Sequence, residues 1–186
     1  MNVSASLPPA PLLFGTFMLA ATPITGEGTV TDHTHDFDFL IGKWRVHHRR
    51  LRNRLAGSHD WMEFDGTSEL WMTMDGRGTI DDNYIGVPGE PYRAMSIRAY
   101  DPKTEKWAIW WLDTRTPRAI EPPVFGNFRE GVGTFEGDDT VNGKPIKVRF
   151  IWSEMTSSSA RWEQAFSSDG GDTWETNWRM DFTRAQ

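Results

Sequence analysis

The feature that most constrains this chain is two-residue alternation, running from Gly42 to Arg184 and broken at short intervals by turn residues. In the last segment Trp174, Thr176, Trp178, Met180 and Phe182 share one face, and Glu175, Asn177, Arg179, Asp181 and Thr183 share the other. Only a strand sorts side chains that way, because successive side chains leave a strand on opposite sides. Val141-Asn142-Gly143-Lys144 marks a tight hairpin, since Asn-Gly supplies positive φ at both central positions. Asp101-Pro102-Lys103-Thr104, Gly76-Arg77-Gly78 and Asp169-Gly170-Gly171-Asp172 separate further pairs of alternating segments. No long segment after Gly42 has helical periodicity. Strands joined by short hairpins make a meander, and a meander of roughly eight to ten strands closes into an up-and-down antiparallel barrel that has no exposed edge. The expected fold is therefore an all-β barrel, with Asp36–Gly42 as a short N-terminal helical plug.

The same alternation predicts the interior. Trp162, Gln164 and Phe166 face inward, as do Ile146, Val148, Phe150 and Trp152. Leu70, Met72 and Met74 are assigned inside on the second strand, and Met95, Ile97 and Ala99 on another, which sends Arg93 and Arg98 outside. On the first strand Trp44, Val46, His48 and Arg50 share a face, with Arg50 near a rim. Trp107 to Leu112 is apolar on both faces, which calls for a cover, such as the N-terminal tail, on the outside. The predicted interior is mostly Trp, Phe and Met, with His48, Gln164 and Thr176 as its polar members.

Composition narrows the chemistry. The 186 residues suit one domain. There is no cysteine, which excludes disulfides, thiolate metal sites, Fe–S clusters and cysteine nucleophiles. The formal charge of −6 disfavours sequence-independent nucleic-acid binding. Walker loop, dinucleotide fingerprint and His-Glu-x-x-His zinc motif are all missing. Neither a cofactor nor a metal site is expected. His33-Thr34-His35 between Asp32 and Asp36 has metal-binding residue types, but too few ligands for a closed site, and reads as a solvated entry segment.

Residues 1–35 are read as a tail and 36–186 as the barrel domain. The apolar run Leu12 to Ala21 is too short to span a bilayer and lacks the preceding positive charges of a secretory signal. The expectation is a cytoplasmic protein with no membrane span, the alternative an exported, periplasmic one. A homodimer is left open.

Gly42-Lys43-Trp44, opening the first long strand, resembles the Gly-x-Trp signature of lipocalins and the wider calycin superfamily. The resemblance implies that Trp44 closes one barrel end beneath a late-strand arginine, Arg179 or Arg184. Phe37 to Trp44, Tyr100-Asp101-Pro102, Trp107 to Trp111 and Phe166 to Trp178 are similar to the bacterial lipocalin-like family DUF1579, which has no settled activity and so implies no catalytic residues. Nitrobindin-like barrels hold haem through a histidine far along the chain. Here His33, His35, His47, His48 and His59 are the only histidines, and that ligand has no counterpart. Ser167 to Trp174 matches the Asp-box, read here as a single hairpin brace.

A Trp-rich interior with few polar groups suits a small apolar or aromatic molecule as partner. Trp44, Arg50, Met72, Trp111, Phe150, Trp152, Trp162 and Trp178 are the candidate ligand-binding residues. The alternative is a cofactor-free cyclase, isomerase or hydratase, with His48 as acid–base and Gln164 or Tyr84 as donor to a developing oxyanion. A second alternative is a structural barrel packed solid. The basic stretch Lys43 to Arg54 pairs with carboxylates such as Asp60, Glu63 and Asp65, or presents Arg50 to an anionic ligand group.

Overall fold

A computed structural model describes residues 32–186; positions 1–31 of the tail, and with them the Leu12–Ala21 run, lie outside the described residues, as does any cover they would give Trp107–Leu112. Two 3-10 turns, His33–His35 and Asp38–Leu40, lead into ten strands: β1 Gly42–Leu51, β2 Trp61–Thr73, β3 Gly78–Ile85, β4 Tyr92–Asp101, β5 Lys106–Asp113, β6 Val124–Arg129, β7 Val132–Val141, β8 Lys144–Ser153, β9 Ser159–Ser167 and β10 Glu175–Arg184. Each pairs antiparallel with its sequence neighbours, and β1 pairs with β10, so the sheet closes. This is the up-and-down barrel that the hairpin signals predict. Asn142 and Gly143 both take positive φ at the β7–β8 turn. Among the described residues no helix is long and apolar enough to cross a membrane.

The start of β1 marks the closed end. Phe37, fully buried in the 3-10 plug, meets Trp107 at 5.0 Å and Phe128 at 5.1 Å, both edge-on. Trp44 donates its indole N–H to the Leu40 carbonyl at 2.7 Å. Arg184, its direct partner across β1–β10, lies over the Trp44 ring at 3.8 Å and donates to the carbonyls of Phe39 at 2.9 Å and of Ile41. Of the two arginines that the lipocalin resemblance offers, Arg184 therefore fills the role. Arg179 faces outward and pairs with Glu163 at 2.6 Å.

Several facing assignments are corrected. On β4 the inward residues are Tyr92, Ala94, Ser96 and Arg98, and Met95 and Ile97 lie outside. The outward pair is not wasted: Met95 pairs with Leu112, and Ile97 with Trp110 and Ile80, making an apolar stripe on the outer wall. Arg98 is accepted inside because Asp81 of β3 neutralises it. Met74 leaves the sheet in the Met74–Gly76 turn and is 59% exposed. Tyr84 is 39% exposed, because β3 turns Asp81, Asn83 and Ile85 inward and Tyr84 takes the other parity. A register shift between Thr176 and Trp178 turns Asn177 fully inward, and Trp174 falls outside, stacked under Arg149 at 3.7 Å. The Asp-box brace is present: Asp169 accepts from the Thr173 amide at 3.0 Å, and Trp174 donates to the Gly171 carbonyl at 2.9 Å.

Candidate functional site in the barrel interior

Every strand crosses from the plugged end to an open end, where the β1–β2 loop, the Pro-rich β5–β6 connection and the β7–β8 turn form a mouth. Two chambers follow one another below it. The mouth chamber has about 220 Å³ of free space and is lined by Arg50, Arg54, Arg115, Glu121, Asp139 and the faces of Phe166 and Trp178, among others. The deep chamber has about 40 Å³, room for roughly three waters. Trp111, Phe150 and Trp162 line both and form the waist between them.

The deep chamber has apolar walls and a polar floor. Leu40, Ile109, Trp152, Met180 and Phe182 supply the walls; Ser68, Asp81, Asn83, Ser96 and Arg98 supply the floor. These polar side chains converge because the β3–β4 register sets Asp81 opposite Ser96 and Thr79 opposite Arg98. Asp81 accepts from Asn83 Nδ2 at 2.5 Å and from the Ser96 amide at 2.7 Å, and its other oxygen pairs with Arg98 Nη1 at 2.7 Å. Arg98 also rests over the Phe37 ring at 5.1 Å, so the plug forms its outer support. Two buried donors remain without a partner here: Arg98 Nε and the indole nitrogen of Trp152. A buried donor left unmade costs about 1–3 kcal/mol, which a ligand acceptor would recover.

His48 is buried inside the barrel but lines neither chamber. It stacks on Phe64 at 4.8 Å, and its Nδ1 accepts the Trp178 indole N–H at 3.2 Å. That bond places the proton on Nε2, which has no partner and faces Gly66, where an added Cβ would come within 2.7 Å of it. Burial, then the charge of Arg50, pushes the imidazole down to about 3, so it is neutral near pH 7. What this arrangement does chemically is fix the indole of Trp178 at the mouth wall.

Gln164 lines the mouth chamber and donates to Asn177 Oδ1 at 2.8 Å. Arg50 reaches the Tyr92 hydroxyl at 3.2 Å and lies over Trp178 at 5.2 Å. Of the other sequence candidates, Trp111, Phe150, Trp152, Trp162 and Trp178 line a chamber, whereas Trp44 is taken up in the closed end and Met72, half-buried near the end of β2, lines neither. Tyr84, facing out, cannot reach either chamber. The floor residues Ser68, Asp81, Asn83 and Ser96 are not among the sequence candidates, and the sequence pattern places the fifth, Arg98, on the outer face. His33 and His35 bond Asp36 and Asp38, and no group of metal-ligating side chains forms among the described residues. Half of the basic stretch pairs with carboxylates: Lys43 with Glu69 at 3.7 Å, His47 with Asp65 at 2.9 Å and Arg49 with Glu63 at 3.0 Å across β1–β2, and Arg52 with Asp60 at 3.4 Å just beyond the strand ends.

No protein-family model and no curated protein matches the chain. Among solved structures it is similar to the S-type phycobiliprotein lyase of Guillardia theta, with a TM-score of 0.52 and 11% identity over 82% of this chain and 92% of that one. At that identity the likeness shows the fold, a lipocalin-like barrel.

Proposed function

We propose that the protein binds one small apolar or aromatic molecule within the barrel, entering at the mouth and reaching the polar floor. The observation that carries this reading is the deep chamber itself: two buried donors without partners, Arg98 Nε on its polar floor and Trp152 Nε1 on its apolar wall. A barrel that evolved only to pack would more readily fill this space with aliphatic side chains than hold a buried ion pair beside it. The similarity of Phe37–Trp44 and of the Phe166–Trp178 hairpin to the DUF1579 family belongs to the same proposal.

The test is titration of intrinsic Trp fluorescence with a broad panel of small apolar and aromatic compounds. A saturable, one-to-one change is expected, because Trp111, Trp152, Trp162 and Trp178 border the space. No response across the panel would sink the reading. Turnover is the weaker reading. His48 has its Nδ1 occupied by Trp178 and is held neutral, so it is a poor acceptor of protons near pH 7. A His48→Gln variant that keeps binding but loses turnover of an identified substrate would restore it.

A further inference from the structure

The two ends of the cavity differ in how their charges are matched. At the floor the Arg98 guanidinium and the Asp81 carboxylate are 5% and 4% exposed and form a closed ion pair. Asp81 has both oxygens occupied, so the floor carries no unmatched charge, and the two buried groups left without a partner beside it, Arg98 Nε and Trp152 Nε1, are both donors. A carboxylate brought there would lose its hydration and meet an arginine already matched. A neutral acceptor such as a carbonyl oxygen loses far less.

The mouth is the reverse. Arg115 is held by Asp113. Among the described residues no carboxylate lies within 4.0 Å of Arg50 or Arg54, although both line the mouth chamber. Arg50 is half-buried, between Tyr92, Phe64 and Trp178, and its only hydrogen bond there is to the neutral Tyr92 hydroxyl. Arg54 is exposed on the β1–β2 loop and lies over Phe166 at 5.6 Å. Glu121 and Asp139 also line the chamber, from the β5–β6 connection and β7; neither pairs with Arg50 or Arg54, although the charge of Arg54 reaches Glu121.

We infer that the ligand is an aromatic carboxylate bound in one direction: its carboxylate at Arg50 and Arg54 in the mouth, its ring in the Trp111–Phe150–Trp162 waist, and a neutral hydrogen-bond acceptor at Arg98 and Trp152. This rests on the binding function proposed above and fixes the ligand's class and orientation. Guanidinium groups suit the task because their fork matches a carboxylate in two parallel bonds.

Three matched probes test it by calorimetric titration: 6-acetylnaphthalene-2-carboxylate, its methyl ester, and 6-ethylnaphthalene-2-carboxylate. The acid should bind at least about tenfold more tightly than the ester, the loss expected for one charge-assisted bond. That preference should vanish in the Arg50→Gln/Arg54→Gln double variant, whose substitutions lie at the rim. The acetyl compound should outbind the ethyl compound in the native protein, and Trp152→Phe, which removes the indole N–H donor along with part of the ring, should narrow the gap. The lost ring area affects both compounds alike, while the lost donor affects only the acetyl one. Equal binding of acid and ester, or an acid preference that survives the double variant, overturns the orientation while leaving barrel binding intact. Failure of all three probes to bind overturns the aromatic-carboxylate class and its orientation, and the binding function itself falls only if the broad fluorescence panel is silent as well.

Discussion

Arg98 and Asp81 meet at 2.7 Å inside the barrel, on adjacent strands and almost wholly shielded from water. Neither charge is tolerable there alone. Taking one ion out of water costs several kcal/mol, and the partner together with the bonds from Asn83, Ser96 and Thr79 offsets it. The pair also blocks the collapse of aliphatic side chains into the floor, so one interaction serves both the stability and the shape of the cavity.

Breaking the pair from one side should therefore be severe. Arg98→Met leaves a buried carboxylate and should lower unfolding free energy by about 3–5 kcal/mol. Adding Asp81→Asn keeps the acceptor for the Ser96 amide and removes the stranded charge, so the double variant should regain much of the loss. Urea unfolding of the two variants and the parent measures both. Additive losses would mean that the two side chains are not coupled.

His48 predicts a stability that depends on pH in a known direction. Its folded value is pushed down to about 3 from an ordinary 6.5, so the unfolded chain binds a proton that the folded barrel refuses. The stabilising difference is complete above about pH 6.5 and is lost as pH falls, at about 1.4 kcal/mol per unit until the folded group itself titrates. Between pH 6.5 and 5 that is about 2 kcal/mol. His48→Gln, which can still accept from Trp178, should flatten this slope in urea unfolding. An unchanged slope would assign the dependence to other groups.

The Arg184–Trp44 contact closes the far end. Arg184→Ala removes the guanidinium over the indole and its bonds to the carbonyls of Phe39, Ile41 and Ser157. A loss of about 2–3 kcal/mol is expected from the charge-assisted bonds together with the cation–π contact. Arg184→Lys should recover only part of it, since an ammonium cannot span several carbonyls as a planar fork does. Thermal unfolding distinguishes the two, and full recovery by lysine would show that charge alone matters.

At the mouth, enclosure in the chamber, and then the charges of Asp139 and Asp113, push Glu121 up to about 7, with Arg115 and Arg54 opposing. Lowering pH from 8 to 6 therefore neutralises a negative group beside the proposed carboxylate site. Binding of 6-acetylnaphthalene-2-carboxylate should tighten over that range, and Glu121→Gln should be tight at both ends of it. Binding that weakens as pH falls would contradict this placement of the charges.

The fold was legible because alternation and turn chemistry are local. Asn142-Gly143 fixes its hairpin, and Gly42-Lys43-Trp44 announces the first strand, whatever the rest of the chain does. The aromatic waist was legible for the same reason, since Phe150 and Trp162 sit on unambiguous alternating strands. The floor was not. On β4, Met95 and Ile97 are more apolar than Ser96 and Arg98, and apolarity alone assigns the wrong face. Only the register that brings β3 alongside β4, and so Asp81 to Arg98, reverses the assignment, and register is a property of two strands. A signal was nevertheless present: β3 reads Thr79, Asp81, Asn83 on one parity, a polar set that a buried arginine nearby would explain. The inward turn of Asn177 depends on an irregularity between β9 and β10 that no residue in Thr176-Asn177-Trp178 announces.

The ten tryptophans make the central claim directly measurable, because each indole N–H gives its own signal in a proton–nitrogen correlation spectrum. With 6-acetylnaphthalene-2-carboxylate added to saturation, the signals of Trp111, Trp152, Trp162 and Trp178 should move together along one binding curve. Those of Trp71, which is 45% exposed, and Trp174, stacked under Arg149 outside the barrel, should stay in place. Interior signals that do not move, or movement confined to Trp71 and Trp174, would contradict a ligand inside the barrel.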